Sequence, residues 1–159
     1  MRHEIKLLRL ISFLSISVIV IALISQYVFN MQPCAWCVLQ RLLYLIIGFV
    51  ALALSVGQPK RARLSLGTLG LMTVAVAGVI SAIYQEKVAA NTFSCAQTFA
   101  DQVMTKSGLD AAAPWIFGIY ASCMEARIKV LGVEYAWWSM AMFSLIIVLC
   151  VHTWLKLCR

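Results

Sequence analysis

The feature that most constrains this chain is a set of four apolar stretches, each about 20 residues long, which run roughly over 10–29, 38–57, 65–84 and 136–155. At a rise of about 1.5 Å per residue, each stretch can cross a hydrocarbon core of about 30 Å as a helix. Hydrophobic residues make up 63% of the 159 residues, more than a soluble domain of this size could bury. The sequence therefore predicts an all-α membrane protein, a four-transmembrane-helix bundle formed by a single domain over 1–159.

Basic residues predict the orientation of the bundle. They lie before the first span, between the second and third spans, and after the fourth: Arg2, Lys6, Arg9, Lys60, Arg61, Arg63, Lys156 and Arg159. These places share one side of a four-span protein, and such an excess marks the cytoplasmic side. We expect cytoplasmic termini and two outer segments, roughly 30–37 and a long loop over 85–135. The net charge of +7 is then a topology signal, and no basic face interleaved with aromatics predicts a nucleic-acid partner.

The third span is diluted by glycines at Gly67, Gly70 and Gly78. Small residues in a spanning helix allow the backbone of a neighbouring helix to come close. We therefore expect close helix contacts along this span.

Six cysteines divide between the two sides of the predicted membrane. Four are outer (Cys34, Cys37, Cys95 and Cys123), whereas Cys150 and Cys158 lie in or beyond the last span and are expected to be free thiols. Disulfides persist outside the cytoplasm, and four cysteines allow three pairings. The Cys-x-x-Cys spacing makes Cys34 and Cys37 the natural first pair, which leaves Cys95 with Cys123.

The Cys-x-x-Cys motif favours redox chemistry. Its short loop makes the disulfide easy to reduce, and its thiols ionise readily. Two other interpretations stay open: a zinc site built from the four outer cysteines, which an oxidising compartment disfavours, and disulfides that only staple the outer loop of a structural membrane protein. A c-type haem is excluded because Val38, and not His, follows the motif. We expect no metal.

Arg41 lies four residues after Cys37, so both side chains project from one helix face. An ionisable residue inside a span is costly and points to function, although snorkelling to lipid headgroups is the alternative. The guanidinium and the N-terminus of the helix would both stabilise a Cys37 thiolate. The same charge would stabilise an anion that forms on a membrane-soluble electron acceptor.

The stretch Pro33–Arg41, PCAWCVLQR, resembles the disulfide-bond formation protein B (DsbB) family of bacterial inner membranes. The resemblance extends to Cys95, to Cys123–Arg127, and to Leu131 and Gly132 before the last span. It implies two redox-active disulfides, Cys34–Cys37 and Cys95–Cys123, in a membrane oxidoreductase.

The resemblance also implies a partner and an acceptor. The partner would be a DsbA-like soluble periplasmic thiol oxidase that attacks Cys95, after which Cys123 exchanges at Cys34. The acceptor would be a quinone, ubiquinone or menaquinone, held beside Cys37 and Arg41. A vitamin-K-epoxide-reductase-like enzyme is the alternative, but there the Cys-x-x-Cys pair follows the loop cysteines, and here it precedes them.

The chain departs from the family pattern at two places. Gln40 stands where an acid is common, and no His lies near the outer end of the third span, where Gln85 and Glu86 are found. We interpret Gln85 and Glu86 as surface polarity at a helix end, and the alternative is that one of them replaces the His. The second polar contact to a quinone is therefore left open. His3 and His152 are assigned no role.

Overall fold

The computed structural model describes residues 2–57, 59–87 and 98–158. Seven helices and one β-hairpin follow one another along these residues: α1 (Arg2–Val28), α2 (Ala35–Ser55), α3 (Arg61–Lys87), α4 (Phe99–Ser107), α5 (Leu109–Ala112), α6 (Pro114–Phe117), β1 (Lys129–Val130), β2 (Val133–Glu134) and α7 (Tyr135–Cys158). Cys95 lies outside the described residues.

Four of these helices, α1, α2, α3 and α7, are long and apolar enough to cross a membrane. They overlap the four predicted spans, and α3 continues beyond its predicted end as far as Lys87. The helices form a ring in which α1 packs on α2, α2 on α3, and α3 on α7, while α1 and α7 pack least closely. The predicted fold class, a four-helix membrane bundle, is confirmed.

Large apolar side chains cover the outside of the bundle on every long helix. Phe13 is 68% exposed, Phe49 62%, Leu66 72% and Val148 63%. So much exposed apolar surface is expected only where another apolar phase contacts it. On four spanning helices, that phase is the lipid tails.

The interior of the bundle depends on close contact between α2, α3 and α7. The Tyr44 ring stacks on the Phe143 ring, with centroids 4.0 Å apart and an interplanar angle of 9°. A Cβ added to Gly78 would overlap the Phe143 ring, whereas a Cβ at Gly70 would meet no atom within 4 Å. At Gly67 it would meet the flexible end of Leu54. The expected close contact is therefore present at Gly78 and not at Gly70.

Short helices between α3 and α7 cover one end of the bundle, which we call the cysteine end because Cys34 lies there, directly before α2. α4 begins with a capping box, in which Asp101 N–H donates to Thr98 Oγ1 at 3.3 Å and Thr98 N–H donates to Asp101 Oδ2 at 2.8 Å. It ends at Gly108, whose φ of +68° suits glycine. Ala100 and Met104 on α4 and Phe117 on α6 are buried in the same cluster as Cys34.

A two-residue hairpin leads into α7. Lys129 pairs with Glu134 and Val130 with Val133, in antiparallel register. The turn residues Leu131 and Gly132 both have positive φ, +54° and +82°, as a type I′ turn requires. The hairpin returns the chain to the cysteine end of the bundle, where α7 begins at Tyr135.

Candidate functional site

Cys34 and Cys37 occupy the start of α2. Cys34 is the N-cap residue, with extended backbone, and its side chain makes no capping hydrogen bond. The thiol is therefore available to other partners. It is fully buried, and its Sγ lies 3.2 Å from Cys37 Sγ, one helical turn further on.

The loop after α6 brings Cys123 to the same place. The Pro33 carbonyl, directly before Cys34, accepts hydrogen bonds from Tyr120 N–H at 3.1 Å and Ala121 N–H at 3.3 Å. This anchor holds the loop against the start of α2, and it places Cys123 against the buried cluster that contains Cys34. Cys34 therefore lies 3.2 Å from the Cys37 sulfur and close to Cys123.

The surroundings of Cys34 and Cys123 shift the pKa values of these two thiols in opposite directions. Because the Cys34 thiol donates to Cys123, the pKa of Cys34 lies well above its ordinary value, and contact with Cys37 and burial raise it further. The pKa of Cys123 is lowered, first because its sulfur accepts the bond from Cys34 and also because it accepts one from Trp36 N–H. Hydrogen bonds to the charged form favour that form, so Cys123 ionises more readily than Cys34 when both are reduced.

Arg41 is 6% exposed and lies one turn beyond Cys37 on α2. Its Nη1 donates to Gln26 Oε1 at 2.7 Å and to the Ile116 carbonyl at 2.9 Å, and its Nη2 donates to the Ala22 carbonyl at 3.4 Å. The guanidinium is thus held inside the protein by α1 and α6, and it does not snorkel towards headgroups. Three of its five N–H donors are used in these bonds.

A cavity of about 430 Å³ opens beside Cys37 and Arg41. It lies among α1, α2, α7 and the hairpin, where α1 and α7 pack least closely. Its wall is mostly apolar, and the polar groups that line it include Gln40, Tyr44 and Tyr135. The volume is in the range of small-molecule sites, and the two functional side chains predicted on one face of α2 both line it.

Gln85 is a site residue whose environment we interpreted wrongly from sequence. It is 5% exposed and is not surface polarity at a helix end. Its Nε2 donates to Cys37 Sγ at 3.2 Å, and its Oε1 accepts from Gln40 Nε2 at 2.8 Å. The error has a physical cause, because α3 continues past the apolar stretch and Gln85, in its last turn, is buried against Gln40 of α2.

Arg127 fastens the loop that carries Cys123. Its Nη2 lies 3.3 Å from Glu86 Oε1 on α3 and 3.1 Å from Glu134 Oε1 in the hairpin. This ion-pair network was not foreseen, although Arg127 follows Cys123 by four residues and its sign is opposite to that of both acids.

Cys150 and Cys158 lie apart from this cluster. Cys150 is buried within α7, and Cys158 is exposed at its far end. Among the residues that the structure describes, no group of three His, Cys, Asp or Glu side chains is arranged to hold a metal ion. The predicted pairing of Cys123 with Cys95 falls outside the described residues.

Comparison with known proteins identifies the family. The family model for "Disulfide bond formation protein DsbB" matches residues 5–153. Proteins named disulfide bond formation protein B are similar over most of the chain. The protein of Burkholderia pseudomallei strain 1106a is 27% identical over 149 residues, which cover 93% of this chain and 88% of the relative. The protein of Cupriavidus necator strain H16 is 30% identical over 132 residues, which cover 82% of this chain and 80% of the relative.

A third relative, from Herminiimonas arsenicoxydans, is 24% identical over 153 residues and spans 96% of both chains. The match therefore includes all four spanning helices and the cysteine cluster. The chain belongs to the DsbB family, and it is a multi-pass membrane oxidoreductase that generates disulfide bonds.

Proposed function

We propose that this protein reoxidises a DsbA-like soluble periplasmic thiol oxidase and passes the two electrons to a membrane quinone, ubiquinone or menaquinone. The observation that carries the proposal is the position of Cys34, which lies close to Cys123 on its loop side and 3.2 Å from the Cys37 sulfur on its cavity side. Electrons that arrive at the loop cysteines can thereby reach the cavity by thiol exchange alone.

The exchange begins at the loop. By resemblance, a thiolate of the reduced partner attacks Cys95 of a Cys95–Cys123 disulfide, which forms a mixed disulfide and releases Cys123. Cys123 attacks Cys34, so the Cys34–Cys37 bond breaks and Cys37 leaves as a thiolate.

The second half returns the loop to its starting state. The second partner thiol attacks the partner sulfur of the mixed disulfide, which releases oxidised partner and Cys95. Cys95 then attacks Cys123, which restores the Cys95–Cys123 bond and frees Cys34. Cys34 and Cys37 are left with the two electrons that the partner has lost. Because Cys37 is a thiolate, one of the partner's two protons is on Cys34 and the other has passed to solvent.

The cavity fits a quinone head group. Its walls are apolar, Cys37 opens into it, and Arg41 has N–H donors that its bonds to α1 and α6 do not use. A bound quinone would take up the two electrons and two protons as the Cys34–Cys37 disulfide forms again. Arg41 would hold the head group and offset the negative charge that develops beside Cys37.

The orientation follows from the two ends of the bundle. Lys60, Arg61 and Arg63 lie at the end opposite the cysteines, all exposed. We place this basic end in the cytoplasm, with both termini, and the cysteine end in the periplasm of an inner membrane. The oxidising side is then the side where the disulfides lie.

A Cys37→Ser variant tests the proposal against disulfides that only staple the loop. We expect oxidation of the soluble partner to be lost, while thermal unfolding in detergent is unchanged, because half-buried Cys37 can be replaced by a side chain of similar size. Cys150→Ser is the matched control and should keep full activity. A Cys37→Ser protein that still oxidises the partner, with lower thermal stability, would instead support a stapling role.

A further inference from the structure

Two buried glutamines form a hydrogen-bonded chain that ends on Cys37. Gln40 on α2 is 4% exposed and Gln85 on α3 is 5% exposed. Gln40 Nε2 donates to Gln85 Oε1 at 2.8 Å, and Gln85 Nε2 donates to Cys37 Sγ at 3.2 Å. Both amides lie on spanning helices, and burying polar side chains there costs free energy. This cost points to a function for the two glutamines.

The first bond fixes the direction of the second. An amide has a donor end and an acceptor end, and Gln40 donates to the acceptor end of Gln85. The donor end of Gln85 must then face the sulfur. Without Gln40, the Gln85 amide could turn over and present its oxygen to Cys37.

The donor reaches the sulfur from outside the cavity. Cys37, Gln40 and Arg41 line the cavity, but Gln85 does not. The guanidinium of Arg41 directs its bonds at α1 and α6. Within the described part of the chain, the side-chain partners of Cys37 Sγ are therefore Cys34 and Gln85, and Cys34 is the sulfur that exchange takes away.

We propose that Gln85 is a catalytic hydrogen-bond donor that stabilises the Cys37 thiolate, and that Gln40 is a positioning residue that orients it. The inference rests on the proposed function, in which Cys37 is released as an anion beside a mostly apolar cavity. A neutral amide suits this purpose because it donates without giving up its proton. Cys37 then stays ionised and can return its electrons.

The first test measures the Cys37 thiolate without quinone or partner. In a Cys34→Ala background, reduced Cys37 is the only cysteine of the tryptic segment 10–41, and its reaction with iodoacetamide can be followed by mass spectrometry. Gln85→Met removes a hydrogen bond to the thiolate and so lowers the fraction of Cys37 that is ionised at pH 7. Because a hydrogen bond to a charged group is a strong one, alkylation at pH 7 should slow about tenfold. The pH profile should move to higher pH with an unchanged plateau rate, because the reagent still reaches the sulfur.

Further variants separate a donor from a space-filling side chain. Gln85→Glu has the shape of the native residue but lacks the amide donor, and at pH 8 it should slow alkylation at least as much as Gln85→Met. Gln40→Met should slow it about threefold, since an amide that can turn over keeps part of the hydrogen bond. Ser81→Ala removes a buried hydroxyl from α3 that bonds the Gly78 carbonyl, and it should leave the rate unchanged.

Steady-state kinetics give a second readout. Because Gln85 contacts the sulfur and not the cavity, Gln85→Met should lower kcat about tenfold and leave the KM for ubiquinone within about twofold. Equal thermal unfolding of the variants in detergent shows that the bundle is intact.

The outcomes separate this inference from the proposed function. If wild-type protein does not reduce quinone but the alkylation profile still shifts in Gln85→Met, the proposed function fails and the donor stands. Alkylation at the wild-type rate in Gln85→Met and Gln85→Glu would overturn the inference. A lower plateau rate with an unmoved pH profile would overturn it too, since access and not ionisation would have changed.

Discussion

At the scale of single residues, the site is organised by differences between chemically similar groups. Cys34 is buried with a raised pKa, Cys123 is a loop thiol with a lowered pKa, and Cys37 lies between an amide donor and the cavity. Arg41 is the fixed positive charge among them, held by Gln26 and by backbone carbonyls. In the proposed function, each cysteine takes part in a different step of the exchange.

The acidity of Cys123 predicts a pH dependence. A lowered pKa means that the thiolate persists at lower pH, so half-maximal alkylation of Cys123 in reduced protein should come below the ordinary cysteine value of about 8.5. In Cys34→Ala the bond from the Cys34 thiol is lost, and the midpoint should rise. Peptide-resolved alkylation between pH 5 and 10 measures both. A midpoint that does not respond to Cys34→Ala would show that this hydrogen bond does not set the acidity of Cys123.

The position of Arg41 predicts that its substitution changes the kinetics with quinone but not the thiol exchange with the partner. Arg41→Ala should raise the apparent KM for quinone about tenfold, as expected for the loss of one charge-assisted contact. Thiol exchange between Cys123 and Cys34 should continue, which trapping of the mixed disulfide can show. Unchanged quinone kinetics would mean that the guanidinium serves only to hold α1 and α6 to α2.

At the scale of secondary-structure elements, the apolar runs predicted the four long helices, because a spanning helix shows its length in the sequence. The contacts of the α3 glycines were harder to predict. Only the packed structure shows that Gly78 lies against Phe143, whereas a Cβ added at Gly70 would have no atom within 4 Å. Gln85 was misjudged because its burial depends on where α3 ends. The contact of Cys123 with Cys34 depends on the Pro33 carbonyl anchor, which no local pattern reveals.

Packing between α3 and α7 predicts a pair of stability effects. Gly78→Ala should destabilise the bundle by about 1–3 kcal/mol, because the added methyl group would overlap the Phe143 ring. Gly70→Ala, in the same helix with open space around it, should be neutral or stabilise by up to about 1 kcal/mol. Unfolding of the purified variants in mixed detergent micelles gives the two values. Equal effects would mean that α3 and α7 do not pack as described.

At the scale of the whole molecule, the protein connects two environments. Its cysteine end carries the loop cluster, its middle holds the cavity among α1, α2 and α7, and its other end is basic. In the proposed function, thiol exchange covers the distance from the loop to the cavity, so no electron has to cross the bundle. The lipid-soluble acceptor would meet Cys37 at the cavity, near the start of α2.

The proposed orientation predicts which thiols a membrane-impermeant maleimide reaches. In a variant that keeps only Cys158, intact spheroplasts should stay unlabelled until they are permeabilised, because this exposed thiol ends α7 at the basic end. Lys106→Cys in the same background places a thiol on the exposed side of α4 and should be labelled at once. The opposite pattern would invert the topology and remove the periplasmic partner from reach.

The central claim is that one chain couples thiol oxidation to quinone reduction, and a stoichiometric assay tests it most directly. Purified protein, excess reduced DsbA-like partner and ubiquinone are mixed without oxygen, and the thiols lost are counted against the quinol formed. Because one disulfide carries two electrons, we expect one quinol for every two partner thiols lost, and none with Cys37→Ser. Partner oxidation without quinol, or quinol formed at full rate by Cys37→Ser, would contradict the account.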